Sequence, residues 1–110
     1  MYPTSLSPFS SGSKPGVTAY DGEDALARRI AVRPRHLENM ARLISRVICA
    51  GGLQDESGKT IGSALVMDFA SREELDEYLA GEPYVTGGVW KDIRVEPMNV
   101  VIVNGDLVGQ

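Results

Sequence analysis

The chain has one cysteine, one histidine and one tryptophan in 110 residues, and each scarcity excludes something. A lone Cys49 permits no intramolecular disulfide and no thiolate cluster, so a reducing, cytoplasmic setting is expected. A lone His36 without clustered acids makes a metal site unexpected. Lys and Arg number 11 against 15 Asp and Glu, a net charge of −4. The basic stripe of a nucleic-acid surface is therefore missing, and no nucleic-acid partner is expected. No apolar run approaches the ~20 residues of a membrane span, and the first residues lack the basic start and apolar core of a signal peptide. Aromatic residues make up 6% of the chain, little to stack on a large cofactor. Neither Gly51-Gly52 nor Gly87-Gly88 has the lysine or the spacing of a phosphate loop. No cofactor is expected.

What is present is an ordinary globular composition, 43% hydrophobic and 24% charged, in a length suited to one domain. Residues 1–15 hold five serines and three prolines without periodicity and read as an irregular arm. Its apolar anchors are Tyr2, Leu6 and Phe9, which a neighbouring subunit is expected to receive. The domain proper spans residues 16–103, and residues 104–110 form a polar tail.

Gly16 to Tyr20 alternates as a first strand, with Val17 and Ala19 on one face and Thr18 and Tyr20 on the other. Asp21-Gly22 turns the chain, and Asp24 is placed to cap a short helix through Ile30. Pro34 suits the first position of the main helix, whose apolar face is expected to be Leu37, Met40, Ala41 and Ile44. Val47 to Gly51 is apolar throughout and reads as a strand buried on both faces, with Cys49 inert inside it. Asp55 to Gly58 forms a hairpin loop, and Thr60 to Phe69 the third strand. Ser71 and Glu74 make a capping box for a second helix that Gly81 ends in a left-handed turn. Val89 to Glu96 alternates as a strand stopped by Pro97, and Val100 to Val103 is a short appended strand. Strand, helix, strand, strand, helix, strand is the ferredoxin-like α+β pattern, βαββαβ, with two helices on one face of an antiparallel sheet. The other sheet face needs cover, so a homodimer packed sheet on sheet is expected.

His36 lies just past Pro34, so this reading puts it in the first helical turn, where the helix dipole favours a neutral imidazole. A neutral imidazole is what a general base needs, and a half-buried histidine with no task is the plain alternative. Arg33, extended before Pro34, is placed to hold an anionic oxygen of a substrate or a nearby acid. Tyr84 and Tyr20 each offer a phenol that can donate to an oxyanion or simply pack. Trp90 reads as packing.

The segments RIAVRPRHL from Arg29 to Leu37, Ala50-Gly51-Gly52, Gly62-Ser63, and Glu82-Pro83-Tyr84-Val85 with Gly87-Gly88-Val89 resemble the YCII-related family, in order and in spacing. The resemblance covers residues 16–103. It implies a small dimeric α/β barrel carrying a histidine–aspartate pair in a pocket. Carried over by position, the histidine is His36, the family's aspartate is Glu82, and the acid ending the first strand is Asp21. Glu82 departs from the pattern by one methylene and must sit differently to reach an imidazole. Lys14-Pro15 also departs, where the family has an ordinary strand. The expected function is a cofactor-independent lyase- or isomerase-like enzyme acting on a small, cyclic or aromatic substrate. Its alternatives are a non-catalytic metabolite-binding module and a cofactor-free monooxygenase on the same plan.

Overall fold

The computed structural model describes residues 14–109, so Tyr2, Leu6 and Phe9 lie outside the described residues. In chain order the elements are β1 (Lys14–Asp21), α1 (Leu26–Arg42), β2 (Val47–Gln54), β3 (Thr60–Met67), α2 (Arg72–Gly81), α3 (Pro83–Thr86) and β4 (Trp90–Met98). The sheet order is β2-β3-β1-β4, every neighbouring pair antiparallel. This is the ferredoxin-like α+β arrangement. Val17 and Ala19 of β1, Leu65 and Met67 of β3, and Ile93 of β4 form the sheet side of the core. Leu75, Tyr78 and Leu79 of α2 close over them, and burial of such side chains contributes roughly 1.5–3 kcal/mol each.

Several elements differ from the sequence reading. Helix α1 is continuous through Pro34, so His36 lies ten residues past its start at Leu26 and away from the dipole's positive end. The proline forgoes one intrahelical bond, and the burial of Arg29, Val32 and Met40 on one stripe outweighs that loss. Asp24 does not cap α1: it adopts φ 55, and Ala25 takes the cap position without a side-chain bond. Leu37 is 46% and Ile44 68% exposed, so of the expected apolar face only Met40 is buried.

Strand β2 is an edge strand, not a central one, and Cys49 on it is exposed. Val47 at its start packs against the core, while Cys49, Ala50, Gly51 and Gly52 are exposed. Lys14 and Pro15 belong to β1 and not to an arm. Pro15 faces Pro97 past the last β1–β3 pair at Gly16–Val66, and Pro97 is tolerated inside β4 because β4 is the other edge. Strand β3 stops at Met67, two residues short of the expected Phe69, which is buried all the same.

The capping box forms with one change. Ser71 Oγ accepts from Glu74 N–H at 3.2 Å, while Glu74 Oε1 accepts from Ala70 N–H at 2.6 Å, one residue earlier than expected. Gly81 remains helical, and the chain first turns left-handed after α2 at Gly88, φ 72. After β4 the chain forms a separate hairpin of β5 (Ile102–Val103) and β6 (Asp106–Leu107) instead of one strand added to the sheet. Asn104 and Gly105, both at positive φ, are the two-residue turn that such a hairpin requires.

Candidate active site

A β-bulge begins the site. Between Tyr20 and Asp21 the β1–β4 register slips: Tyr20 faces Asp92 but Asp21 faces Trp90. The extra residue turns Trp90 onto the helix-covered face beside Ile93, against the simple alternation that would set the two on opposite faces. Asp21 follows Val17 and Ala19 onto that face, where its carboxylate takes a two-pronged bond from Arg29, at 2.7 Å from Nε and 3.0 Å from Nη2. Arg29 Nη2 also donates to Ser63 Oγ at 2.8 Å, and Trp90 Nε1 donates to the same oxygen at 3.2 Å. Burial opposes the charge on Arg29. The hydrogen bond and charge of Asp21, with Tyr84 adding, outweigh it and raise the guanidinium above its ordinary range.

The second half of the site is built on Glu82, which is fully buried. It ends α2 in extended backbone and caps the single turn α3, accepting Tyr84 N–H on Oε1 at 3.2 Å. Pro83 follows as the first residue of that turn, where a missing N–H costs nothing. Oε1 also meets His36 Nδ1 at 2.5 Å, and Asn39 Nδ2 lies 3.5 Å from Oε2. The longer glutamate thus reaches the imidazole. Since a carboxylate accepts, it selects the Nδ1–H tautomer and leaves the lone pair on Nε2.

Tyr78, across the core, places its hydroxyl against Met40 Sδ at 3.7 Å. Burial, then the charge and hydrogen bond of Glu82, hold its phenol well above its usual titration range. Tyr84 is held up too. Burial is the main cause, with Glu82 adding and the cations of Arg29 and Arg33 opposing.

The rings lock the two halves together. His36 stacks on Tyr84 at 3.9 Å between centroids and 13° from parallel. Arg29 sits 4.6 Å over the same Tyr84 ring, and Trp90 meets it edge-on at 5.7 Å. His36, Tyr84, Arg29, Arg33 and Ser63 line a cleft of about 600 Å³ between α1 and the β2–β3 half of the sheet. That volume suits a small organic molecule.

Of the expected site residues, His36, Glu82, Tyr84 and Arg33 come together here. Asp21 is at the site but on Arg29, not on His36. Tyr20 is not brought in: it alternates onto the opposite sheet face and is 44% exposed. Arg29, Ser63, Asn39 and Tyr78 are site residues that the sequence does not single out as such. The signal for Arg29 was its spacing with Arg33, His36 and Met40, which shares one helix face only if α1 runs through Pro34. Among the described residues no group of three or more His, Cys, Asp or Glu is placed to hold a metal ion, and no helix is long and apolar enough to cross a membrane.

Fold and cleft define a ferredoxin-like α+β protein with a candidate site between its first helix and the sheet. Residues 16–99 match the YCII-related domain, and the chain belongs to the YCII-related family. It is 30% identical over 93 residues to the protein YciI of Escherichia coli O6:H1, covering 77% of this chain and 95% of that one. An uncharacterised protein of Haemophilus influenzae matches to the same extent. Among solved structures, 5-chloro-2-hydroxyhydroquinone dehydrochlorinase (TftG) of Burkholderia phenoliruptrix AC1100, in complex with 2,5-dihydroxybenzoquinone, superposes with a TM-score of 0.70 at 20% identity. That match covers 76% of this chain and 90% of the other.

Proposed function

We propose that this protein is a small cofactor-independent enzyme in which His36 and Glu82 carry out acid/base chemistry on a small cyclic or aromatic substrate. The observation that carries the reading is the 2.5 Å contact between His36 Nδ1 and the fully buried Glu82, with the imidazole lining a cleft. Glu82 holds the ring in one tautomer and stabilises the cation formed when Nε2 accepts a proton. A ring hydroxyl or an activated ring carbon is a suitable donor, because its electron pair delocalises over the ring while a leaving group departs or a double bond moves. Stacking on Tyr84 keeps the imidazole plane fixed as its charge changes. The structural neighbour's name, a dehydrochlorinase of a hydroxylated ring, supports elimination on such a ring as the reaction to try first. A homodimer is part of the proposal, since on the sheet face away from the helices Tyr20 is exposed and Thr18, Ala64 and Val66 are only half-buried.

The test is turnover of 5-chloro-2-hydroxyhydroquinone and related hydroxylated rings, followed by chloride release and ring absorbance. His36→Ala should lower kcat by about a hundredfold or more, as expected for loss of a general base. Equal rates for wild type and His36→Ala would sink the acid/base assignment. Binding without turnover would leave the metabolite-binding module as the better description.

A further inference from the structure

The cleft is polarised along its length, and its polarity names a substrate class. Helix α1 and strand β2 run in opposite directions along its two walls. One end therefore collects Arg29 and Arg33 from the helix with Gln54 and Thr60 from the strands. The other end collects Met40 and Ile44 with Val47 and Ile48. His36 lies between, three residues (~4.5 Å of helix rise) past Arg33 and four before Met40. No carboxylate is among the residues lining the cleft, although the chain as a whole carries a net charge of −4. The two arginines are not equivalent. Arg29 is neutralised by Asp21, with both oxygens of the carboxylate engaged. Arg33 is exposed at the cleft, and no ion pair among the described residues neutralises it.

We infer that the cleft takes an amphipathic organic acid of single negative charge. The anionic group lies at Arg33, the reacting ring passes over His36, and the apolar substituent points toward Ile44 and Val47. One unneutralised guanidinium matches one charge and offers nothing further to a dianion. This deepens the acid/base reading by naming its substrate class, and it rests on His36 being the centre of the same cleft.

The experiment is a binding titration of the full-length protein, followed by NMR of backbone amides at constant low salt. The probes are 4-butylbenzoate, its neutral amide 4-butylbenzamide, acetate, and the dianion 4-butylphenyl phosphate. Wild type should bind 4-butylbenzoate about tenfold or more tighter than the amide, the worth of one charge-assisted hydrogen bond. Acetate should bind more weakly for want of the apolar end, and the dianion no more tightly than the benzoate. Shifts should fall on α1 and β2, with Val47 and Ile48 reporting the butyl group. Arg33→Gln should abolish the preference for benzoate over amide. Equal affinity for benzoate and amide, a preference that survives Arg33→Gln, or no binding of either probe would each overturn the inference. The two readings fail separately. Charge-selective binding with an unimpaired His36→Ala enzyme sinks only the acid/base assignment. Turnover that needs His36 without charge-selective binding sinks only the anion site.

Discussion

The imidazole of His36 and the ring of Tyr84 lie face to face, and both residues are tied to one oxygen, Oε1 of Glu82. The tie to His36 comes from the ring nitrogen, and the tie to Tyr84 from its backbone N–H. One carboxylate thus sets the helical turn that carries Tyr84 and the tautomer of the histidine stacked upon it. Arg29, two turns earlier on the same helix as His36, completes the arrangement by resting over the same aromatic ring. Local backbone structure and site chemistry therefore share a single side chain.

Removing that side chain should be costly. Glu82→Ala leaves the buried Tyr84 N–H without its cap and His36 Nδ1 without an acceptor. We expect a loss of about 3 kcal/mol in urea unfolding, within the range for breaking a buried, hydrogen-bonded charge. Glu82→Gln keeps an acceptor oxygen and should cost roughly 1 kcal/mol. It should also redistribute the His36 tautomers, visible as a change in the imidazole nitrogen shifts of the chain's single histidine. Imidazole shifts indifferent to Glu82→Gln would show that the carboxylate does not set the tautomer.

The pair of Asp21 and Arg29 invites a double-mutant cycle. Each group is nearly buried, so either Asp21→Asn or Arg29→Met alone strands its partner and should destabilise the protein by about 3 kcal/mol. The double substitution should cost clearly less than the sum of the two. Additive losses in calorimetry would mean that the two charges do not stabilise each other.

Stability should fall at alkaline pH because of Tyr78. Its phenol is held neutral in the folded state by burial and by Glu82. The unfolded chain ionises it near pH ~10. Below that pH both states carry the proton and the contribution is whole. Above it the unfolded state alone releases the proton, so stability declines as pH rises. Tyr78→Phe should flatten this decline in unfolding measured from pH ~8 to ~11. A Tyr78→Phe curve parallel to that of wild type would exclude Tyr78 as the cause.

The half-buried apolar side chains on the sheet face away from the helices lead to an expected homodimer. Sedimentation at micromolar concentration should give twice the 11.9 kDa chain mass. Tyr20, 44% exposed on that face, is where a charge should do most harm, so Tyr20→Glu should shift the species toward monomer. A wild-type monomer at that concentration would remove the sheet-on-sheet picture.

Much of this fold was legible in the chain. The alternation of Val17 and Ala19, the cap at Ser71 and the loop at Asp55 are local devices, and local physics gives them their form. Asp55 Oδ1 accepts from Ser57 and Lys59 N–H at 2.9 and 3.1 Å, which closes that turn without help from elsewhere. The Asn104-Gly105 hairpin is equally local, its turn made by two residues at positive φ. Errors gathered where tertiary packing overrides a local rule. Pro34 is tolerated because the stripe it interrupts is buried, and β2 is exposed because strand order puts it at an edge.

The sequence by itself determined the family and the run of strand, helix, strand, strand, helix, strand that makes the ferredoxin-like sheet, both of which rest on spacing and residue type. Tertiary structure alone decided the partners. Asp21 and Glu82 are both acids at element ends, and nothing in the chain says which one faces His36. A one-residue bulge opposite Asp21 turns Trp90 inward and commits that acid to Arg29. A single helical turn after Pro83 folds Tyr84 over His36 and gives Glu82 the imidazole. Such choices depend on register and on contacts between residues more than forty positions apart, where pattern along the chain carries no information.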